Sequence, residues 1–230
     1  MTKAVTAATV LFLAAPVFGQ DDLTTNPGGL YLSFSAMGVF TQDSALRDNT
    51  GGVIDAALAP FGLMTSDLTA EFNPGFGFRV GVGYTFPAPG SPVALTLELE
   101  YFFQYAEFDS ISSPNGSLSA GGNNFSNSFM GNLILDFDIV GGFGLYVGGG
   151  VGFTIVSVDL DDIGGLSVPL VRDEDTKFAW QFLGGLKYVI DEHWVVYLGG
   201  RYFDAGDVDF DALGGEYTSV VIEAGFRFYF

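Results

Sequence analysis

The sequence predicts an all-β fold, a closed eight-stranded antiparallel barrel that crosses a membrane with short turns at one end and long loops at the other. Three observations carry this. Apolar residues recur at every second position through eight segments, the connections between segments alternate in length, and the charged residues inside the segments share the opposite parity.

The elements follow in chain order. Residues 1–19 stand apart: Lys3 gives a positive start, Ala4 to Ala15 an apolar run, and Gly19 closes a small-residue cleavage context before Gln20. The run is too short to cross a membrane as a helix. The reading is a cleaved signal peptide over 1–19 and one barrel domain over 20–230. The first strand carries Leu30, Leu32, Phe34 and Phe40 outward, and the second covers residues 76–86 from Phe76 to Phe86. Residues 95–105, 129–137, 145–155, 178–188 and 194–202 supply the next five, each with outward Leu, Val, Phe, Tyr or Trp. In the eighth, Val220, Ile222, Ala224, Phe226, Phe228 and Phe230 alternate with Ser219, Glu223, Arg227 and Tyr229. Each segment reaches the roughly nine to eleven tilted residues that span a bilayer.

Residues 87–92, 140–142 and 191–193 read as short turns, and 41–74, 107–126, 159–175 and 205–216 as long loops. Outer-membrane barrels pair short periplasmic turns with long outer loops, so both termini are expected in the periplasm. Tyr84, Phe86, Tyr188 and Trp194 would form the inner aromatic girdle, and Tyr101, Phe103, Trp180 and Tyr202 the outer one. One rival is a helix over residues 139–158, which are uncharged and space Gly144, Gly148 and Gly152 four apart. Seven glycines in those twenty residues oppose it, each costing about 0.8 to 1 kcal/mol in a helix relative to alanine.

Composition narrows the class. Acidic residues outnumber basic ones 27 to 8, yet the mean hydropathy is +0.36. That combination needs apolar surface segregated from charge. The acidity excludes nucleic acid as a partner, and the absence of cysteine removes both disulfides and a lipoprotein anchor.

The inward parity holds Arg79, Lys187, Arg201 and Arg227 together with Glu98, Glu100, Asp136 and Glu223. Slipping the register by one would turn the four basic residues toward lipid, at about 2 to 4 kcal/mol each near the midplane. Counted from the periplasmic ends, Arg79, Glu100, Arg201 and Glu223 form one expected layer, with Arg79 facing Glu100 if the turn from Phe86 to Val93 closes symmetrically. Glu98, Asp136, Lys187 and Arg227 form a lower one. Two roles are open: a paired plug in a narrow interior, or a selective constriction. Inward glycines leave room that Arg79, Phe102, Tyr146, Tyr197 and Tyr229 are placed to fill.

Other motifs carry less. Asp207, Asp209 and Asp211 alternate beside Glu216, but Ala212 and Thr218 stand where an EF-hand needs glycine and glutamate, so solvated acidic loops are expected and a metal site is a minor alternative. His193, the only histidine, falls in a short turn beside Asp191 and Glu192. Val53, Ile54, Ala57, Leu58, Phe61, Met64 and Leu68 have near-helical spacing in the first loop, as for a short capping helix.

Phe226, Phe228 and the final Phe230 resemble the C-terminal assembly signal of bacterial outer-membrane barrels. With the parity and loop rhythm, residues 20–230 resemble the eight-strand barrels grouped as OmpA-like or porin-family surface proteins. The chain departs from full-length OmpA in ending at the barrel, without a peptidoglycan-binding domain. The resemblance implies residence in the bacterial outer membrane and contact with its lipid and lipopolysaccharide. It also implies insertion by the barrel-assembly machinery, and a structural or surface-interaction role toward an extracellular partner of unspecified kind. Passive passage of small solutes is the alternative. No cofactor is implied. Lipid-modifying barrels carry a catalytic histidine at the outer rim; His193 sits at the opposite end, so no enzymatic activity is expected.

Overall fold

The structure is a computed structural model that describes residues 27–49, 51–52, 55–56, 59, 64–114, 116–163, 166–209 and 213–230. The signal peptide, the first-loop positions Val53, Ile54, Ala57, Leu58 and Phe61, and Asp211 lie outside the described residues.

Strands β1 (Gly29–Thr41), β2 (Ser44–Ala45), β3 (Arg47–Asp48) and β4 (Thr69–Phe72) precede β5 (Gly75–Pro87), β6 (Val93–Ser113) and β7 (Gly116–Val140). Then come β8 (Phe143–Ile163), β9 (Leu166–Val189), β10 (Trp194–Asp209) and β11 (Leu213–Tyr229). Eight of these close a ring, because β1 pairs with both β5 and β11 and every other neighbour from β5 to β11 is antiparallel. Following one rung from Gly29 through Thr85, Thr96, Ile134, Gly148, Leu183, Arg201 and Val221 returns to β1 at Val39. The ring is therefore sheared by ten residues, which at ordinary strand rise and spacing tilts the strands about 40° from the barrel axis. No helix among the described residues is long and apolar enough to cross a membrane, and residues 143–158 are strand.

Burial is inverted relative to a water-soluble protein. Leu99, Phe129, Phe153, Phe182 and Phe230 are 60 to 69% exposed on the outward parity, whereas Arg79, Glu98, Glu100, Asp136, Lys187, Arg201, Glu223 and Arg227 are at most 4% exposed. Only a lipid surround makes that arrangement favourable. Aromatic contacts group at two heights on the outer face: Tyr84 with Phe86 and Trp194 with Phe228 near the short turns, Trp180 with Tyr202 further up.

The short turns have local causes. Ala88 to Ser91 is a β-turn closed by Ser91 N–H to the Ala88 carbonyl (2.9 Å), with Gly90 at φ 75° after Pro89. Gly141 and Gly142, at φ 59° and 84°, form the two-residue connection between Val140 and Phe143. The Asp191 carboxylate accepts the main-chain N–H groups of His193 and Trp194 at 2.8 and 2.9 Å.

Two expectations are corrected. The segments 107–126 and 159–175, and the described part of 205–216, are strand extensions rather than long loops: β6 and β7 pair up to Ser113 and Gly116, β8 and β9 up to Ile163 and Leu166, and β10 and β11 up to Asp209 and Gly214. Beyond the bilayer both faces of a strand meet water, so no apolar alternation marks them. The first long connection, 42–74, folds back on the ring, with β2 on β4, β4 on β6, and β3 on β11. The second correction is register. The first short turn closes with Pro87 opposite Ala94 and Phe86 opposite Leu95, which sets Arg79 opposite Phe102 and Glu100 opposite Gly81. The unpaired connection runs over 88–93 rather than over the 87–92 of a closure pairing Phe86 with Val93, which moves the partner of every β5 residue two positions along β6.

Candidate functional site: the filled lumen

Through the membrane-crossing part of the eight ring strands every second residue points inward, and the rising rung places these side chains in stacked layers. Nearest the short turns, Tyr31, Val189, Val195 and Tyr229 form a buried cluster. Just above it Asp136 takes Arg227 Nη1 at 2.9 Å and Thr96 Oγ1 at 2.8 Å. Lys187 Nζ lies 3.5 Å from Asp136 and 2.9 Å from Asp138. The Arg227 guanidinium also lies over the Tyr31 ring, 5.2 Å from its centroid.

A layer of Ile134, Tyr146, Leu183 and Tyr197 separates this group from a second one. There Arg79 Nη1 donates to Glu98 at 2.6 Å and Glu100 at 2.7 Å, while its Nη2 donates to the Tyr197 hydroxyl. Arg201 Nη1 meets Glu100 Oε1 at 2.7 Å, and its Nη2 meets Glu223 Oε2 at 3.1 Å. Glu100 thus bridges both guanidiniums. Neutral groups complete the shell: Tyr31 and Ser33 donate to Glu98 at 2.8 and 3.0 Å, Ser35 to Glu223 at 3.1 Å, and Gln181 to Glu100 at 2.6 Å. Four cations face five carboxylates, counting Asp138, and each has an opposite partner within 3.5 Å.

Above the second group the lumen turns apolar. Met37, Val39, Phe102, Met130, Phe203 and Val221 fill it, with Phe102 edge-on to Phe203 at 5.1 Å and its ring face against the Arg201 guanidinium. Polar residues return further out, where the Tyr217 hydroxyl donates to Gln104 at 3.0 Å and lies 3.1 Å from the Ser126 hydroxyl.

The eight charges singled out from the sequence therefore meet in two groups, with one reassignment. Glu98 belongs with Arg79 rather than with Asp136, because Arg79 reaches down past Gly81 and Tyr31 and Ser33 hold the Glu98 carboxylate from below. Asp138 was missed, as were Tyr31, Ser33, Ser35, Asn132 and Gln181. All share the inward parity of their strands, which was the available signal.

Phe226, Phe228 and Phe230 lie at the ring's seam. Phe228 contacts Trp194 and Phe230, and Phe230 N–H donates to the Leu30 carbonyl at 3.1 Å. Among the acidic candidates, Asp207 pairs with Arg47 at 2.8 Å and Asp209 with Lys177 at 2.9 Å, so each carboxylate already faces a cation. No group of three or more His, Cys, Asp or Glu among the described residues is arranged to hold a metal ion. His193 is exposed on its turn, stacked 6.1 Å from Phe228 and 3.9 Å from Glu192.

A closed antiparallel ring with an apolar exterior and charges paired inside defines a bacterial outer-membrane β-barrel of eight strands. The sequence matches the family model of the outer membrane protein beta-barrel domain over residues 5–228, and the chain belongs to that family. Among solved structures it is similar to Neisserial surface protein A, at 17% identity over 88% of this chain and 97% of that one, with a TM-score of 0.52. It is also similar to outer membrane protein OprG from Pseudomonas aeruginosa, at 12% identity over 91% and 100%, with a TM-score of 0.50. Comparison with curated proteins gives no match.

Proposed function

We propose that this barrel is a closed scaffold with a structural or surface-interaction role, presenting its long-strand end outside the cell with both termini in the periplasm. The observation that carries it is the lumen itself: the apolar layer of Met37, Phe102, Met130, Phe203 and Val221, each at most 5% exposed, lies across the path above two layers of paired charges. An ion crossing it would shed water against side chains that offer no replacement ligands. Neisserial surface protein A, similar in fold, is named for that location. In this reading the outward face meets outer-membrane lipid and lipopolysaccharide, Phe226, Phe228 and Phe230 are recognised by the assembly machinery, and no residue is catalytic.

Planar-bilayer recording of the refolded protein tests it. A closed scaffold gives no resolved conductance. Steady conductance whose ion preference shifts on Arg201→Ala would replace it with the narrow passive channel.

A further inference from the structure

The lipid-facing surface is not uniform. Between two neighbouring rungs it recedes into a trench of about 750 Å3 that opens sideways, away from the lumen. Tyr84, Leu97 and Leu133 wall it on one side, and Val82, Leu99 and Val151 on the other. Its floor is main chain, because the residues between the walls turn their side chains inward. Where it crosses β7 and β8 the outward positions are Gly131 and Gly149, which deepen it. The fold does not demand glycine at 131. Its φ is not positive, and an added Cβ would meet nothing nearer than the Leu99 side chain at 3.7 Å.

We propose that this trench seats one acyl chain of a phospholipid, with the ester end at Tyr84 and the chain terminus at Val151. It opens only into the hydrocarbon region and continues the lipid-facing band of the barrel, so a lipid tail is the group at its mouth. Polar surface is nearly absent from it. From Tyr84 on β5 to Val151 on β8 the trench spans three strand spacings, about 14 Å of slanted length at 4.8 Å per spacing, and a leaflet of roughly 15 Å depth accommodates a chain of that reach. Tyr84 lies in the interfacial girdle, where an aromatic ring with a hydroxyl tip meets the ester region. Transfer from bulk lipid brings no hydrophobic gain, so the attraction is dispersion between the chain and the walls. A straight, saturated chain makes more of those contacts than a kinked one. With the termini in the periplasm, the lipid belongs to the periplasmic leaflet; this assignment alone rests on the orientation proposed above.

Refolding the protein in nanodiscs containing phosphatidylcholine with a diazirine on the acyl chain tests the site. A terminal diazirine should label the peptides holding Gly131 and Val151 severalfold more than β10 and β11, and a diazirine near the ester should label Tyr84. Gly131→Leu, which fills the trench, should abolish the excess while leaving the heat-dependent gel shift of the folded barrel unchanged. Even labelling around the ring, or an excess that survives Gly131→Leu, would overturn the site. Labelling of Tyr84 by the terminal diazirine would overturn the direction of the chain. Protease shaving of intact cells reads orientation separately, so a reversed barrel changes the leaflet and not the site.

Discussion

Arg201 and Glu223 sit on adjacent strands with Nη2 and Oε2 3.1 Å apart, although the ladder sets Arg201 opposite Val221 and Glu223 opposite Gly199. The guanidinium reaches two residues diagonally to find its partner, and on its other side it meets Glu100 at 2.7 Å. Loss of Glu223 removes the 3.1 Å contact from Arg201 and a longer one of 3.5 Å from Arg79, whereas loss of Glu100 strips a 2.7 Å partner from each of them. Orphaning buried charge costs about 3 to 5 kcal/mol, so Glu100→Ala should fall at the upper end and Glu223→Ala below it. Urea titration of the barrel in lipid vesicles measures both. The double change of Arg201 and Glu223 to Ala should cost less than the sum of the single changes, and strict additivity would mean the pair is not a unit.

A second test concerns close approach. A Cβ on Gly199 would lie 1.9 Å from the Tyr146 hydroxyl and 2.8 Å from the Gly184 carbonyl oxygen. Gly199→Ala should destabilise by about 1 to 3 kcal/mol, the usual cost of overpacking. The Tyr146 hydroxyl has no hydrogen-bond partner among the described residues, so Tyr146→Phe alone should be near neutral and should recover part of the Gly199→Ala loss. The Gly184 carbonyl limits that recovery. Equal losses with and without Tyr146→Phe would place the clash on the main chain.

These residues also show how far the sequence could be read. The ring followed from parity, because lipid and lumen impose opposite demands on alternate side chains. Outside the bilayer that demand ends, which is why Ser110 and Ser119 gave no sign of pairing. The charged layers were legible as a set, but their partners were not. Pairing depends on shear and on side-chain reach, and Arg79 meets both Glu98 and Glu100 while its main chain faces Phe102. Asp138 was readable by parity from Asp136. The β3 contact with β11 was not, since two residues carry no period.

At the outer end, Lys177 holds Asp209 below its ordinary carboxylate range, chiefly through their hydrogen bond, and Asp209 followed by Asp175 raises Lys177. The depressed carboxylate makes its contribution above the ordinary aspartate pKa and loses it as pH falls through the lower folded value. The raised lysine makes its contribution below its ordinary value and loses it as pH climbs through the higher one. The contact should thus persist through neutral pH and fail only at the two extremes. Carboxyl NMR titration of Asp209 should show the midpoint moving up toward its ordinary value in Lys177→Ala, with Arg47 still holding it down in part; an unmoved midpoint would remove Lys177 as the cause.

Phe230 closes the seam through its main chain, with its side chain 69% exposed. Its ring adds little to the interior, so Phe230→Ala should change refolding in detergent only slightly. If the terminal aromatic is read during assembly, the amount reaching the outer membrane in cells should drop much further. Equal losses in both settings would assign Phe230 to packing.

The order of the lumen layers sets the last expectation. Phe102 and Phe203 lie on the outer side of the Arg79 and Arg201 group, so loosening the charges alone leaves an apolar barrier in the path. Glu100→Ala should weaken the barrel without producing steady conductance in a planar bilayer. Phe102→Ala with Phe203→Ala removes the barrier but leaves the guanidiniums held by their carboxylates, and should give at most brief openings. The triple change should conduct with little preference between anions and cations, because Arg79 and Arg201 are then balanced by Glu98 and Glu223 alone. Steady conductance from Glu100→Ala alone would show that the charge layer, rather than the phenylalanines, closes the barrel.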